Sequence, residues 1–467
     1  MSTIPKIGPG NFGAPGGVRV AMVVYGDITH DSRVQKEASA LAEAGHVVTL
    51  FCLAGRPEAM PGLDRRVSVV ARRPSVTRIL PRSPSPFFAA TPGHLVSRAV
   101  QRASWVWQYI RNLRAWGASI AEEVGRPDVL HLHDFAALVA MDRHLAPRPL
   151  LVYDVHDLFL DTGSGARLPW PARWAVRQYE GHLVRRAAAV VTVNAGLAQE
   201  LRRHYRPRAV VVVHNCPPRW TPPPVRPTRL RDAAGIPDGA PIVLFHGALG
   251  PDRGLDTLCD AMLEPSLRDA HVVLMGYGVL REHFVNLAGD ARFGGRLHVL
   301  DPTVPTDLLW WVASADVGVL ARPATNLDLV LSTPNKLFEC LAAGTPAVVS
   351  DFPAVRRIVI EDELGPLGVT CRPDDAADLA RAVQSIIRLP HPQMEDLRRR
   401  CATAARLRWN WENEVIPLLR LYAALAARHR AAGGSVGPSG ASRSPGDESS
   451  RTGSTGVTRT AADAARD

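Results

Sequence analysis

Cysteine is scarce in this 467-residue chain, with six residues at Cys52, Cys216, Cys259, Cys340, Cys371 and Cys401. They form no CxxC pair and have no histidine at metal-ligand spacing, which excludes a disulfide framework and a structural zinc module and predicts a reducing compartment. No apolar run reaches the roughly 18 residues of a membrane span. The start, MSTIPKIGPGNFGAPGG, lacks the charged residues and apolar core of a signal peptide. The expected location is therefore the cytoplasm. Lysine is almost missing, so the formal net charge of +10 rests on arginine. Such a charge points to anionic partners, either phosphates, nucleic acid or acidic lipid, or else to a biased coding background. Nucleic acid is the weakest of these, because the basic residues are dispersed and no binding module is recognisable.

What the chain does contain is globular: 46% apolar and 21% charged residues over a length that suits two domains. RVAMVV, starting at Arg19, is a continuous apolar run. A polar loop follows, then a helical pattern with Val34, Ala38, Leu41 and Ala42 on one face, closed by Gly45. Fully apolar strands alternating with helices predict a parallel sheet covered on both sides. VSVVA, DVLHLH, LLVYDVH, AVVTVN and AVVVVHN continue this series. CPPRWTPPPVRPTRL then breaks it, and APIVLFHGAL, AHVVLMGYG, RLHVLD, DVGVLA, TPAVVSD and GVTC begin a second one.

The predicted fold class is α/β, with two doubly wound Rossmann-like domains facing a central cleft. Its expected divisions are a tail at 1–17, a first domain at 18–215, a proline-rich linker at 216–238, a second domain at 239–408, an amphipathic helix at 409–430 and a disordered Gly/Ser/Thr-rich tail at 431–467.

In open parallel sheets ligands lie beyond the carboxyl ends of the strands, so polar residues just after each apolar run are the candidates. After the first strand come Gly26, Asp27, Asp31 and Arg33, in a loop suited to an anionic ligand or simply to capping the next helix through Asp31. His131, His133 and Asp134 end one strand, and Asp154, His156 and Asp157 end the next. Histidine can orient a hydroxyl or donate to phosphate near neutral pH. In the second series Gly247 and Arg253 offer close backbone approach and a guanidinium fork. Gly276 and Gly278 bracket Tyr277 in what reads as a tight turn. STPNKLFECLAAGTPAVVSD predicts a helix capped by Thr333 with Pro334 in its first turn. Its free amides favour a pyrophosphate, and Glu339, among Leu337, Phe338 and Leu341, has the chemistry to accept two hydrogen bonds from a ribose diol. The plainer alternative is an ion pair with Lys336.

In this order, DSRVQKEASALAEAGHVV, HLHD, HGALGPDRGLDTL and NKLFECLAAGTPAVVSD resemble a retaining glycosyltransferase of family 4 with the GT-B fold. The resemblance covers roughly Arg19 to Tyr422 and implies a nucleotide-diphosphate sugar, of UDP or GDP type, held mainly by the second domain, with the acceptor on the first. It implies donor contacts from Gly247, Arg253, Thr333, Asn335, Lys336, Leu337 and Glu339, the last as the ribose ligand. His133, Arg253 and Lys336 become the catalytic candidates, and Asp27, Asp31, Arg33, Asp134, His156 and Asp157 the acceptor or cleft candidates. Leu331 stands where the family commonly has a second glutamate, and Ala248 where it often has arginine.

The implied reaction is sugar transfer to a hydroxyl of a glycan, glycolipid or small molecule, with retention at the anomeric carbon. No cofactor and no metal are expected, in keeping with the lack of a DxD triplet. A nucleotide-sugar 2-epimerase of the same fold and a non-catalytic nucleotide-sugar-binding protein are the alternatives. The stretch around Trp105, Trp107, Tyr109 and Trp116 mixes aromatics with arginines. It is either core, or a surface for peripheral contact with an anionic membrane at the inner face of the cell.

Overall fold

The structure is a computed structural model that describes residues 17–433 apart from 30, 56–59, 61, 75–91 and 145–148, and omits the side chains of 92–106 and 164. The tails expected at 1–17 and 431–467 fall almost wholly outside the described residues.

Two parallel sheets form as the alternating pattern requires. The seven-stranded first sheet runs β3-β2-β1-β4-β5-β6-β7. Its strands are β1 Arg19–Val24, β2 Val47–Cys52, β3 Ser68–Ala71, β4 Val129–His133, β5 Leu150–Val155, β6 Ala189–Thr192 and β7 Val210–Val212. The six-stranded second sheet runs β10-β9-β8-β11-β12-β13. It consists of β8 Ile242–Ala248, β9 His271–Tyr277, β10 Leu297–Leu300, β11 Val317–Leu320, β12 Ala347–Ser350 and β13 Gly368–Cys371. In each sheet the order reverses beside the first strand, between β1 and β4 and between β8 and β11. These switch points open the crevices in which such folds hold ligands.

Successive residues of β1 are buried on opposite faces. Val20 and Met22 pack with the helix Ser32–Glu43, while Ala21 and Val23 meet the helices Pro92–Val124 and Asp134–Met141. Coverage on both sides is why the strands read as unbroken apolar runs. The second sheet repeats the arrangement, with Val243 and Phe245 in one core and Ile242 and Leu244 in another.

The proline-rich linker is more regular than its composition suggests. A short helix, Arg229–Ala234, lies inside it, and Leu230 is fully buried against the second sheet. The carboxyl-terminal segment is also broken rather than continuous. After the helix His391–Leu407, Asn410 accepts from the Asn413 amide to start Trp411–Glu414, and Pro417 opens Ile416–Ala431. In that last helix Leu418, Tyr422 and Leu425 return to the core of the first sheet. No helix among the described residues is long and apolar enough to cross a membrane.

Candidate active site

The helix Asn335–Ala342 builds the second-domain half of the site. Pro334, with φ −69° and ψ 139°, is itself the residue that precedes the first turn, and no side chain caps it. Thr333 is thus not the cap: its Oγ1 is buried without a hydrogen-bond partner beside the helix start. Leu337 is likewise no ligand residue. Its side chain is fully buried in the core, and its amide already donates to the Pro334 carbonyl. Asn335 is exposed at the mouth of the helix. Lys336 and Glu339, three residues apart, share a face.

Three consecutive residues of β8 organise that face. Lys336 Nζ lies 4.8 Å from the centre of the Phe245 ring. His246 Nε2 is 2.7 Å from Glu339 Oε2. Gly247, at φ +98°, clears the lysine stem, since a Cβ there would come within 2.6 Å of Lys336 Cε. Gly276 on β9 lets the strands close up, because a Cβ there would sit 1.9 Å from the Gly247 carbonyl oxygen. Gly276 and Tyr277 thus end β9, paired with Gly247 and Ala248, and do not form the tight turn expected from the sequence; the glycine is a close-approach device beneath the site.

Positive charge collects at this helix start. Burial together with Arg253 and Arg322 lowers the Lys336 ammonium to about 8. Burial and Arg253 lower the Arg322 guanidinium to about 10. Burial is the larger cause in each and the neighbouring cations add to it, a pattern that suits an anion site. Arg322 follows β11 at the switch point and donates to Ser332 Oγ. Burial would raise Glu339, yet the hydrogen bond and charge of His246, with Lys336, hold it below the usual carboxylate range. It is ionised at neutral pH.

The first-domain half is a buried polar cluster. Arg33 lies within the first helix rather than in a ligand loop, and it is only 3% exposed. It donates to Asp154, to the Val213 carbonyl, and lies 2.8 Å from Glu37. A group so enclosed holds the fold and does not meet an acceptor. Burial raises Glu37 well above its ordinary value, with the Arg33 charge opposing the rise. Burial opposes ionisation of Asp154 too, but Arg33 and His156 hold it well below the carboxylate range.

His131 and His133 stack with ring centroids 4.5 Å apart. His133 is 1% exposed, and burial with the adjacent His131 pushes it well below its usual value. It is neutral and covered by the strand end, so it does not reach the cleft directly. His156 does, lying 3.2 Å from His133 Nδ1 and 3.5 Å from both Asp154 and Asp134. Burial alone would lower His156, but the two carboxylates raise it to about 10. Asp134, at φ +60°, also accepts from the His156 amide.

Asp31 caps the first helix by accepting from the Val34 amide, as the plainer reading of that loop had it. Asp27 accepts from Thr29 and lines a cavity of about 370 Å³ with Gly55, Ala71 and Arg73. Asp157 is exposed near Asp328.

Glu37, His131, His133 and Asp154 offer ligand atoms within 4.8 Å of one another. Arg33 already stands among them as the compensating cation.

Residues 30–216 match the family model described as a glycosyl transferase 4-like domain, and residues 240–388 match that of the glycosyl transferases group 1. The chain belongs to glycosyltransferase family 4. This glycosyltransferase is 27% identical over 409 residues to a glycogen synthase of Mycobacterium tuberculosis, covering 83% of this chain and 89% of that one. It is 28% identical over 320 residues to a GDP-mannose-dependent phosphatidylinositol dimannoside mannosyltransferase of the same species, covering 66% and 77%. Among solved structures it resembles sucrose-phosphate synthase of Thermosynechococcus elongatus, with a TM-score of 0.66 at 16% identity over 88% of this chain and all of the other. Anabaena HepE, solved with UDP-glucose, gives a TM-score of 0.59 at 15% identity over 89% of this chain and 100% of that one. These structures share the GT-B architecture of two facing α/β domains.

Sequence reasoning passed over Arg322, His246 and Asp328 as site residues. Arg322 and His246 carried a signal, since both stand at the carboxyl end of a strand. Asp328 carried none, because it lies in the short helix Leu327–Leu331, where an acid reads as ordinary surface.

Proposed function

We propose that this glycosyltransferase takes its sugar from a UDP- or GDP-type nucleotide sugar and transfers it to an acceptor hydroxyl with retention of anomeric configuration. The observation that carries this reading is the gathering of Arg253, Arg322 and Lys336 at the start of the helix that bears Glu339. Those cations, the first-turn amides and the orphaned Thr333 hydroxyl suit a diphosphate. Glu339, about 6 Å along the axis from Asn335 by helix geometry, suits the ribose diol. Arg322 also supplies the second positive charge that Ala248 lacks. Charge on the departing diphosphate is balanced by these side chains, and the chemistry assigned here calls for no metal.

On the acceptor side, His156 is the charged group at the cleft, and Asp134 and Asp157 border it. His133 serves by holding His156, not by touching the sugar. The departing phosphate oxygen is the base we assign for the acceptor hydroxyl. The cavity beside Asp27 and Arg73 is a place for a polar acceptor.

A thermal-shift series with uridine, guanosine and adenosine diphosphates and their sugars tests this reading. A stabilisation of several degrees by one nucleotide class supports it. No shift from any of them contradicts it, and conversion of a donor sugar to its epimer without acceptor favours the epimerase instead.

A second feature supports peripheral contact with an anionic membrane. Trp107, Trp170 and Trp174 are 62%, 79% and 61% exposed. Arg111 stacks on Trp107. Trp116, by contrast, is core. Flotation with acidic liposomes tests this contact, and failure to float removes it.

A further inference from the structure

We propose that His246 is a positioning residue that sets the glycosyltransferase's preference for a ribose over a deoxyribose in its donor; this rests on the reading of Glu339 as the ribose ligand. His246 is in the interior of the second sheet, next to the switch point, with 4% of its side chain exposed. A polar ring in that place must be satisfied. Its Nε2 finds Oε2 of Glu339 at 2.7 Å, across 93 residues of sequence. Glu339 is ionised, so the ring nitrogen is the donor and the carboxylate the acceptor.

Glu339 sits on a helix and has three rotatable bonds, so an unrestrained carboxylate would sample several rotamers. Among the described residues His246 is the one group hydrogen-bonded to it. That bond fixes one oxygen and leaves the other at the open side, where 22% of the side chain remains exposed. Two vicinal hydroxyls need two acceptor lone pairs in one fixed plane, and a carboxylate held at one oxygen provides them. Lys336 is anchored by the flanking Phe245 and Gly247. One strand end thus sets the diphosphate cation and the diol acceptor in register.

The test uses the full chain and whichever of uridine, guanosine or adenosine diphosphate binds it most tightly, with the 2′-deoxy counterpart. Calorimetry gives the two dissociation constants and their ratio. His246→Leu keeps the bulk and removes the donor, while His246→Gln can still donate through its amide. The wild type should prefer the ribonucleotide by about tenfold or more. His246→Leu should bring the ratio close to one with little change for the deoxynucleotide, and His246→Gln should restore it. A His246→Leu protein that keeps the wild-type ratio overturns the proposal, because a ring that only packs would leave the ratio alone. If the wild type binds none of the three nucleotides, the proposal falls with the reading beneath it. If it binds but shows no ribose preference, the proposal alone falls.

Discussion

Leu158 donates its backbone N–H to Oδ1 of Asp328 across 2.8 Å, joining the loop after β5 in the first domain to the helix Leu327–Leu331 of the second. Burial and the nearby Asp157 raise the Asp328 carboxyl to about 7, with Arg322 opposing and Asp161 adding to the rise. Folding therefore takes up a proton at this site between about pH 4 and 7, and the stability it contributes is lost as pH rises through that window. Asp328→Asn keeps the acceptor oxygen and removes the charge. Its melting temperature should match the wild type at about pH 4 and exceed it by about 2 °C or more at pH 8, followed by scanning calorimetry. Parallel curves at both pH values would contradict this.

Arg322 is expected to matter through charge. Arg322→Ala should weaken nucleoside diphosphate binding by about tenfold or more at low salt, and by less in strong salt, as calorimetric titration at two ionic strengths would register. An unchanged dissociation constant at low salt would remove Arg322 from the site.

The buried cluster separates charge from shape. Arg33→Met strips the cation from Asp154, and an uncompensated buried carboxylate costs about 3–5 kcal/mol. Burial favours the neutral form of Glu37, so Glu37→Gln should change stability by no more than about 1 kcal/mol. Urea unfolding of both variants checks the contrast, and equal losses would mean that Glu37 is ionised.

His156 faces Asp134, Asp154, Arg33 and neutral His133. Its folded value of about 10 lies above the ordinary 6.5. The stability it contributes is complete below about pH 6.5 and is lost as pH rises toward 10. The difference in unfolding free energy between wild type and His156→Gln should therefore shrink across that range. Asp134 is 44% exposed, so salt should diminish the effect. A difference that stays constant with pH would show that His156 is neutral in the fold.

Much of this architecture was legible from apolar runs. VLHLH reads as a covered strand because both its faces are buried, and the proline-rich break marks the change of sheet. Glu339 stood out as the one acid of its helix, set among Leu337, Phe338 and Leu341. The partners were not legible. Arg33 finds Asp154 across 121 residues, so a helix-start arginine read as a ligand group proves to be part of the core. The cap at Thr333 failed because Pro334 adopts the extended conformation that Thr333 was expected to have. Likewise Arg322, followed by proline, looks like a turn until β8 and β11 are set side by side.

The most direct test is a crystal structure of the protein with its tightest-binding nucleoside diphosphate. The expected result puts the ribose diol on the Glu339 carboxylate, with the phosphates among Arg253, Arg322, Lys336 and Thr333. A nucleotide bound elsewhere, or with its ribose turned away from Glu339, would contradict the account.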